Sequence, residues 1–177
     1  ATTIAQLPLL AVTPIASAVF PIFTNAVSTN RIDVKIKNFH KFSFLIAIIT
    51  APIVACVFLY AVPLVTLWTG DATIATKINL VIKVLIIGGM FLCLQIVPFY
   101  IALANGYTKI NIIMGVFGLF LVIPLIFYCV KNYGMIGATI PWLIINFISF
   151  FILSIVVITK FLPNQLKKWA IEDNILP

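Results

Sequence analysis

Charge is what this chain has least of. Of its 177 residues, 8% are Asp, Glu, Lys or Arg, and only four are acidic. A soluble domain has roughly a quarter of its residues charged. With 63% hydrophobic residues and a mean hydropathy of +1.24, this chain cannot furnish a water-facing shell. That excludes a soluble globular domain and places the chain in lipid. The four acids, Asp33, Asp71, Glu172 and Asp173, all stand outside the apolar runs. A pump coupled to protons or sodium usually needs an intramembrane carboxylate, and these runs supply none. Histidine is nearly absent too: His40 is the only one, read in a loop. The three cysteines, Cys56, Cys93 and Cys129, fall inside apolar runs, where thiols act as small apolar fillers. Their spacing predicts no disulfide and no metal site. There is no Ser–His–Asp set, no glycine-rich nucleotide loop and no pair of buried carboxylates, so neither an enzyme nor a cofactor is expected.

What fills the chain is uncharged sequence. Residues 1–30, 42–70, 84–108, 110–130 and 132–159 carry no charge. A hydrocarbon core about 30 Å thick is crossed by about 20 helical residues. The expectation is an all-α polytopic membrane protein with five transmembrane helices, at about 4–24, 42–68, 78–105, 110–130 and 135–159. They form one bundle over 1–160, followed by an amphipathic tail over 161–177. Strands do not fit, because a barrel strand alternates polar and apolar residues. A lone helix satisfies its own backbone in lipid and a lone strand does not. The first run has no basic residues ahead of it, so it does not read as a signal peptide. The chain begins with Ala1, and the expectation is a fragment whose upstream part is missing.

The cations give an orientation. If five spans alternate, Arg31, Lys35, Lys37, Lys41, Lys109, Lys160, Lys167 and Lys168 share one side. Lys77 and Lys131 fall on the other, and Lys83 lies within a span. The positive-inside rule puts the larger set in the cytoplasm, with residue 1 outside and the C-terminus cytoplasmic. The net charge of +7 therefore reports topology, and nucleic acid is not a partner. In the first basic loop Asn30 is expected to cap a short interfacial helix, with Asp33 in its first turn. Ile32, Ile36 and Phe39 would share one face, with Lys35 and Lys41 pointing away. The tail, with Pro163 near a helix start and Trp169 at headgroup depth, reads the same way, as an anchor to anionic membrane lipid.

Inside the spans, every helix holds proline: Pro8, Pro14 and Pro21, then Pro52 and Pro63, then Pro98, Pro124 and Pro141. Proline bends a helix and frees a carbonyl, which favours bent helices around a cavity. Gly115 and Gly118, and Gly134, Gly137 and Ala138 at the opening of the fifth span, mark close helix packing. Gly88, Gln95 and Ala102 recur every seven residues and should form one stripe against protein, with Gln95 bonding across it. Lys83 has two readings: a cavity cation for an anionic substrate, or a lysine reaching back to the headgroups, which the length of its stem favours. In the turn between two apolar runs, Gly106 should supply a left-handed backbone position and Lys109 should pin the turn at the headgroups.

Four segments, in order, carry a resemblance: "ASAVFPIFTNAVSTNR", "VTLWTGD", "PFYIALANGYTKIN" and "NYGMIGATIPWLIIN". Together they resemble the C-terminal part of a polysaccharide or O-antigen flippase. These flippases of lipid-linked oligosaccharide belong to the superfamily of multidrug, oligosaccharidyl-lipid and polysaccharide exporters. The resemblance implies a whole protein of about twelve helices in two six-helix lobes. This chain would then hold most of the C-terminal lobe, and its partner would be the missing N-terminal lobe of the same chain. It also implies a bacterial or archaeal inner membrane. The substrate would be a polyprenyl-diphosphate-linked oligosaccharide, moved from the cytoplasmic to the outer leaflet by alternating access. A wet cavity would serve the diphosphate with a cation and the sugar with amides. The candidates are Lys83 for the anion, and Gln95, Asn25 and Asn146 as cavity amides. The alternatives are a multidrug antiporter or lipid II flippase of the same fold, or a non-transporting membrane scaffold.

Overall fold

The computed structural model describes residues 2–174. The expected outward position of residue 1, and positions 175–177 of the expected tail, lie outside the described residues. The chain forms α1 (Thr2–Ala5), α2 (Leu7–Ser28), α3 (Ile32–Leu59), α4 (Ala61–Thr69), α5 (Ala72–Leu94), α6 (Ile96–Ala104), α7 (Lys109–Gly137), α8 (Ile140–Phe161) and α9 (Leu166–Lys168). The last passes into a π-helical turn, Trp169–Asp173. No strand occurs among the described residues. Five helical stretches are long and apolar enough to cross a membrane: α2, α3, α5 with α6, α7 and α8. The all-α, five-span fold class read from the uncharged runs is the one observed.

Where the helices break follows from proline. Interruptions fall at Tyr60, Gln95 and Ala138–Thr139, three residues or fewer ahead of Pro63, Pro98 and Pro141. A proline has no N–H for the carbonyl four residues back, and its ring crowds that carbonyl. The carbonyls released are those of Leu59, Leu94 and Gly137. Pro14, Pro21, Pro52 and Pro124 instead lie within continuous helices.

The turns close by a shared device. Asn30 (φ 52) and Gly106 (φ 68) both take left-handed backbone. At each, two bonds tie off the preceding helix: Asn30 N–H to Val27 O and Arg31 N–H to Ala26 O, then Gly106 N–H to Leu103 O and Tyr107 N–H to Ala102 O. This is the Schellman closure, which satisfies carbonyls the helix end leaves orphaned. Asn30 is therefore not the cap of the next helix. The N-cap position belongs to Arg31, without a side-chain bond, and Asn30 terminates α2. Asn tolerates this conformation because its short polar side chain compensates locally.

The basic loop differs from expectation in two further ways. Residues 32–41 are the unbroken beginning of α3, so His40 is helical rather than in a loop. Ile32 is exposed while Lys35 is buried, the reverse of the expected faces; Phe39 is buried as foreseen. Burial pulls the Lys35 ammonium below its ordinary lysine value. The tail overrides the interfacial pattern here, because it covers this face of α3 and leaves the other side open.

The bent α5–α6 pair is the hub, touching α2, α3 and α8. One core cluster joins Val12, Phe23, Phe39, Ile46, Val97, Ile101, Phe150 and Trp169. A second, around Ile4, Val57, Val65, Ala75 and Ile82, fills the other end. The Gly88, Gln95 and Ala102 stripe is buried, as its spacing predicts. A Cβ on Gly88 would come within 2.7 Å of Trp142 Cδ1, so the glycine lets α5 and α8 meet. α7 packs mainly on α8 and turns Phe120 and Phe127 outward. Gly134 and Gly137 stand where the chain turns from α7 toward α8, as the opening of the next span requires. Gly134 breaks its backbone (φ 58, ψ −133), and a Cβ on Gly137 would run into the Cys129 carbonyl.

The cations segregate. Arg31 through Lys41 stand at the start of α3, and the tail with Lys167 and Lys168 packs on the same end. Lys160 covers Tyr107, two residues before Lys109. The eight basic residues assigned to one side by alternation thus gather at one end of the bundle.

Candidate functional site

The α5–α6 joint is where sequence places a polar residue at a helix break. Gln95 sits at the interruption set by Pro98, next to the released Leu94 carbonyl. Its side chain is 7% exposed and makes no hydrogen bond to another described residue. The expected bond from Gln95 across the stripe is therefore not made. Instead Gln95 faces a cavity of about 450 Å³ between the α5–α6 joint, α7 and α8. Leu9 of α2 closes one side of it.

α8 brings Asn146 and Ser149 into the same cavity, three residues apart on one helical face. Asn146 donates through Nδ2 to the Trp142 carbonyl at 2.7 Å, which orients the side chain and leaves Oδ1 as an acceptor. Asn111 enters from the first turn of α7. The remaining wall is apolar, including Leu92, Phe99 and Met114. No charged side chain lines it among the described residues. Three amides and a hydroxyl on an apolar wall suit a neutral, hydrogen-bonding group.

Two of the four residues expected to bind substrate, Gln95 and Asn146, are thus brought together. The other two are not. Asn25 is on the exposed side of the last turns of α2. Lys83 stands on a different face of α5, its Nζ 5.1 Å from the centroid of the Phe58 ring. Sequence reasoning did not single out Asn111 or Ser149. Ser149 had a signal, its spacing from Asn146; Asn111 did not, because the facing of α7 is set by tertiary packing.

A second, more apolar groove of about 590 Å³ adjoins the first at Met114 and Ser149. It runs between α7 and α8, floored by Gly115 and Gly118.

No family model matches the chain, and no solved structure matches it. It is similar to a Shigella flexneri protein named "Putative O-antigen transporter", with 29% identity over 128 residues. The match covers 72% of this chain and 30% of that relative, so the chain spans well under half of the protein it resembles.

Proposed function

We propose that the chain is the C-terminal part of a flippase of the multidrug, oligosaccharidyl-lipid and polysaccharide exporter superfamily. Its substrate is an oligosaccharide on a polyprenyl diphosphate, carried from the cytoplasmic to the outer leaflet of a bacterial inner membrane. The single observation that carries this reading is the similarity to an O-antigen transporter, on a chain with five apolar helices of membrane-crossing length. The cavity supports it chemically. Moving a sugar through an apolar slab about 30 Å thick requires partners for its hydroxyls, and Gln95, Asn111, Asn146 and Ser149 supply donors and acceptors.

In this reading the basic end faces the cytoplasm, in line with the positive-inside rule. The rest of the protein, an N-terminal lobe, completes the passage and alternates access with this one. Membrane lipid surrounds the outward faces of α7. Lys83 and Asn25 are assigned no contact within this cavity. Lys83 is the one cation in the apolar runs, and a diphosphate would meet it only along the α3–α5 face.

The test is flipping by the full-length protein in proteoliposomes loaded with lipid-linked oligosaccharide, scored by sugar exposed to an impermeant oxidant. Sugar exposure above that of protein-free vesicles is expected. Exposure equal to theirs, with folded protein present, would overturn the reading.

A further inference from the structure

The tail is held by the only histidine in the sequence. His40, in the early turns of α3, has Nδ1 2.6 Å from Asp173 Oδ2 and Nε2 2.8 Å from Gln165 Oε1. Both partners belong to the tail, more than a hundred residues away in sequence. Protonated imidazole donates from both nitrogens and so satisfies both oxygens at once; the neutral ring has one N–H. Between the two contacts, Trp169 enters the core, its ring 5.5 Å from Phe150 of α8 and 6.5 Å from Phe39 of α3. The tail thus ties the start of α3 to the middle of α8.

We propose that residues 165–174 form a proton-controlled latch between the start of α3 and the middle of α8, closed when His40 carries its second proton and released when it loses it. The His40 contact matters to the docked state because the tail, although its Trp169 packs into the core, also buries an unpaired donor. Trp169 Nε1 is buried with no hydrogen-bond partner among the described residues. A buried polar group left unpaired opposes docking. Asp173 is itself buried, so losing the imidazolium removes its counter-charge and leaves one N–H for two oxygens.

Residues 32–41 precede the apolar stretch of α3, so His40 exchanges protons with the aqueous side. Its ring is held above the ordinary histidine value of 6.5, first by the Asp173 hydrogen bond. Burial opposes this, the Gln165 bond and the Asp173 charge support it, and Lys168 opposes it. Those are the charged groups that act on the ring from the elements packed about it. Glu172 is exposed and pairs at 3.9 Å with Lys168, while Lys37 and Lys41 point outward on α3. α2 brings no charged side chain to this face. The sign follows from the raised value. Docking is fully supported below about pH 6.5 and is lost as pH rises through the elevated pKa.

The experiment uses the full-length protein in lipid nanodiscs with Trp169 as its sole tryptophan, and acrylamide quenching read against pH. The expected result is a Stern–Volmer constant about threefold higher at about pH 9 than at about pH 6, as the latch opens. His40→Gln, and Asp173→Asn placed in the tail so that α3 is untouched, should give the high constant at both pH values. His40→Arg, which keeps a fixed charge against Asp173, should give the low one at both. Quenching independent of pH in the parent, or a His40→Gln curve that still follows the parent, would overturn the proposal.

Discussion

Lys160 lies over the face of Tyr107, with Nζ 3.6 Å from the ring centroid, and so ties the α6–α7 turn to the end of α8. Phe161 meets the edge of the same ring at 5.7 Å between centroids. A cation over an aromatic face contributes about 0.5–2 kcal/mol, depending on how dry the site is. Tyr107→Leu should lower the melting temperature in detergent, and Tyr107→Phe should leave it near that of the parent. Lys160→Met should cost nothing further in the Tyr107→Leu background. An additive double variant would show that the two side chains act separately.

The missing side chain at Gly88 makes room for Trp142 of α8 against α5. Gly88→Leu drives a branched side chain into the indole and should destabilise by about 1–3 kcal/mol, as overpacking does. Adding Trp142→Ala should recover part of the loss. Differential scanning fluorimetry of the single and double variants measures this, and equal melting temperatures for Gly88→Leu and the parent would refute the contact.

At the other end, Asp71 caps α5 by accepting from the Thr73 and Ile74 amides. The Thr73 hydroxyl and amide, then Ile74, hold its carboxyl below the usual 3.8. A lowered carboxylate value means the contribution is present above about pH 3.8 and fades as pH falls through the folded-state value. Asp71→Ala should therefore melt below the parent at neutral pH and converge with it in acid. A difference that stays constant into acid would count against the cap.

For the cavity, Asn111→Leu and Ser149→Ala remove donors and acceptors with little change of shape. Each should slow sugar transport about tenfold, the effect of one hydrogen bond to a substrate hydroxyl. Membrane levels and melting temperature should hold. Lys83→Met should leave sugar transport close to the parent rate, since it lies outside this cavity. The proteoliposome assay separates these outcomes, and unchanged transport in both amide and hydroxyl variants would remove the cavity from the pathway.

Much of the fold was legible because lipid leaves few alternatives. Uncharged runs of spanning length had to be helices, and prolines marked where three of those helices break. Gly106 was readable as a left-handed closure because little else adopts that backbone at a helix end. Lys35 and Asn30 were misread for a shared reason. Local periodicity put a charge in water and an Asn at the head of a helix, while tail packing and the closure of α2 decided otherwise. Within the cavity, Gln95 and Asn146 stood out as amides in apolar sequence. Their convergence with Asn111 depends on how α7 leans on α8, which no local pattern records.

The break at Gln95 has a mechanical meaning. Two half-helices joined at a proline-induced break behave as a lever with its fulcrum inside the cavity, and the fulcrum residue is itself one of the cavity amides. Any tilt of α6 against α5 therefore widens or narrows the space and turns Gln95 within it in one movement. The width of the cavity and the orientation of its central amide are geometrically the same coordinate.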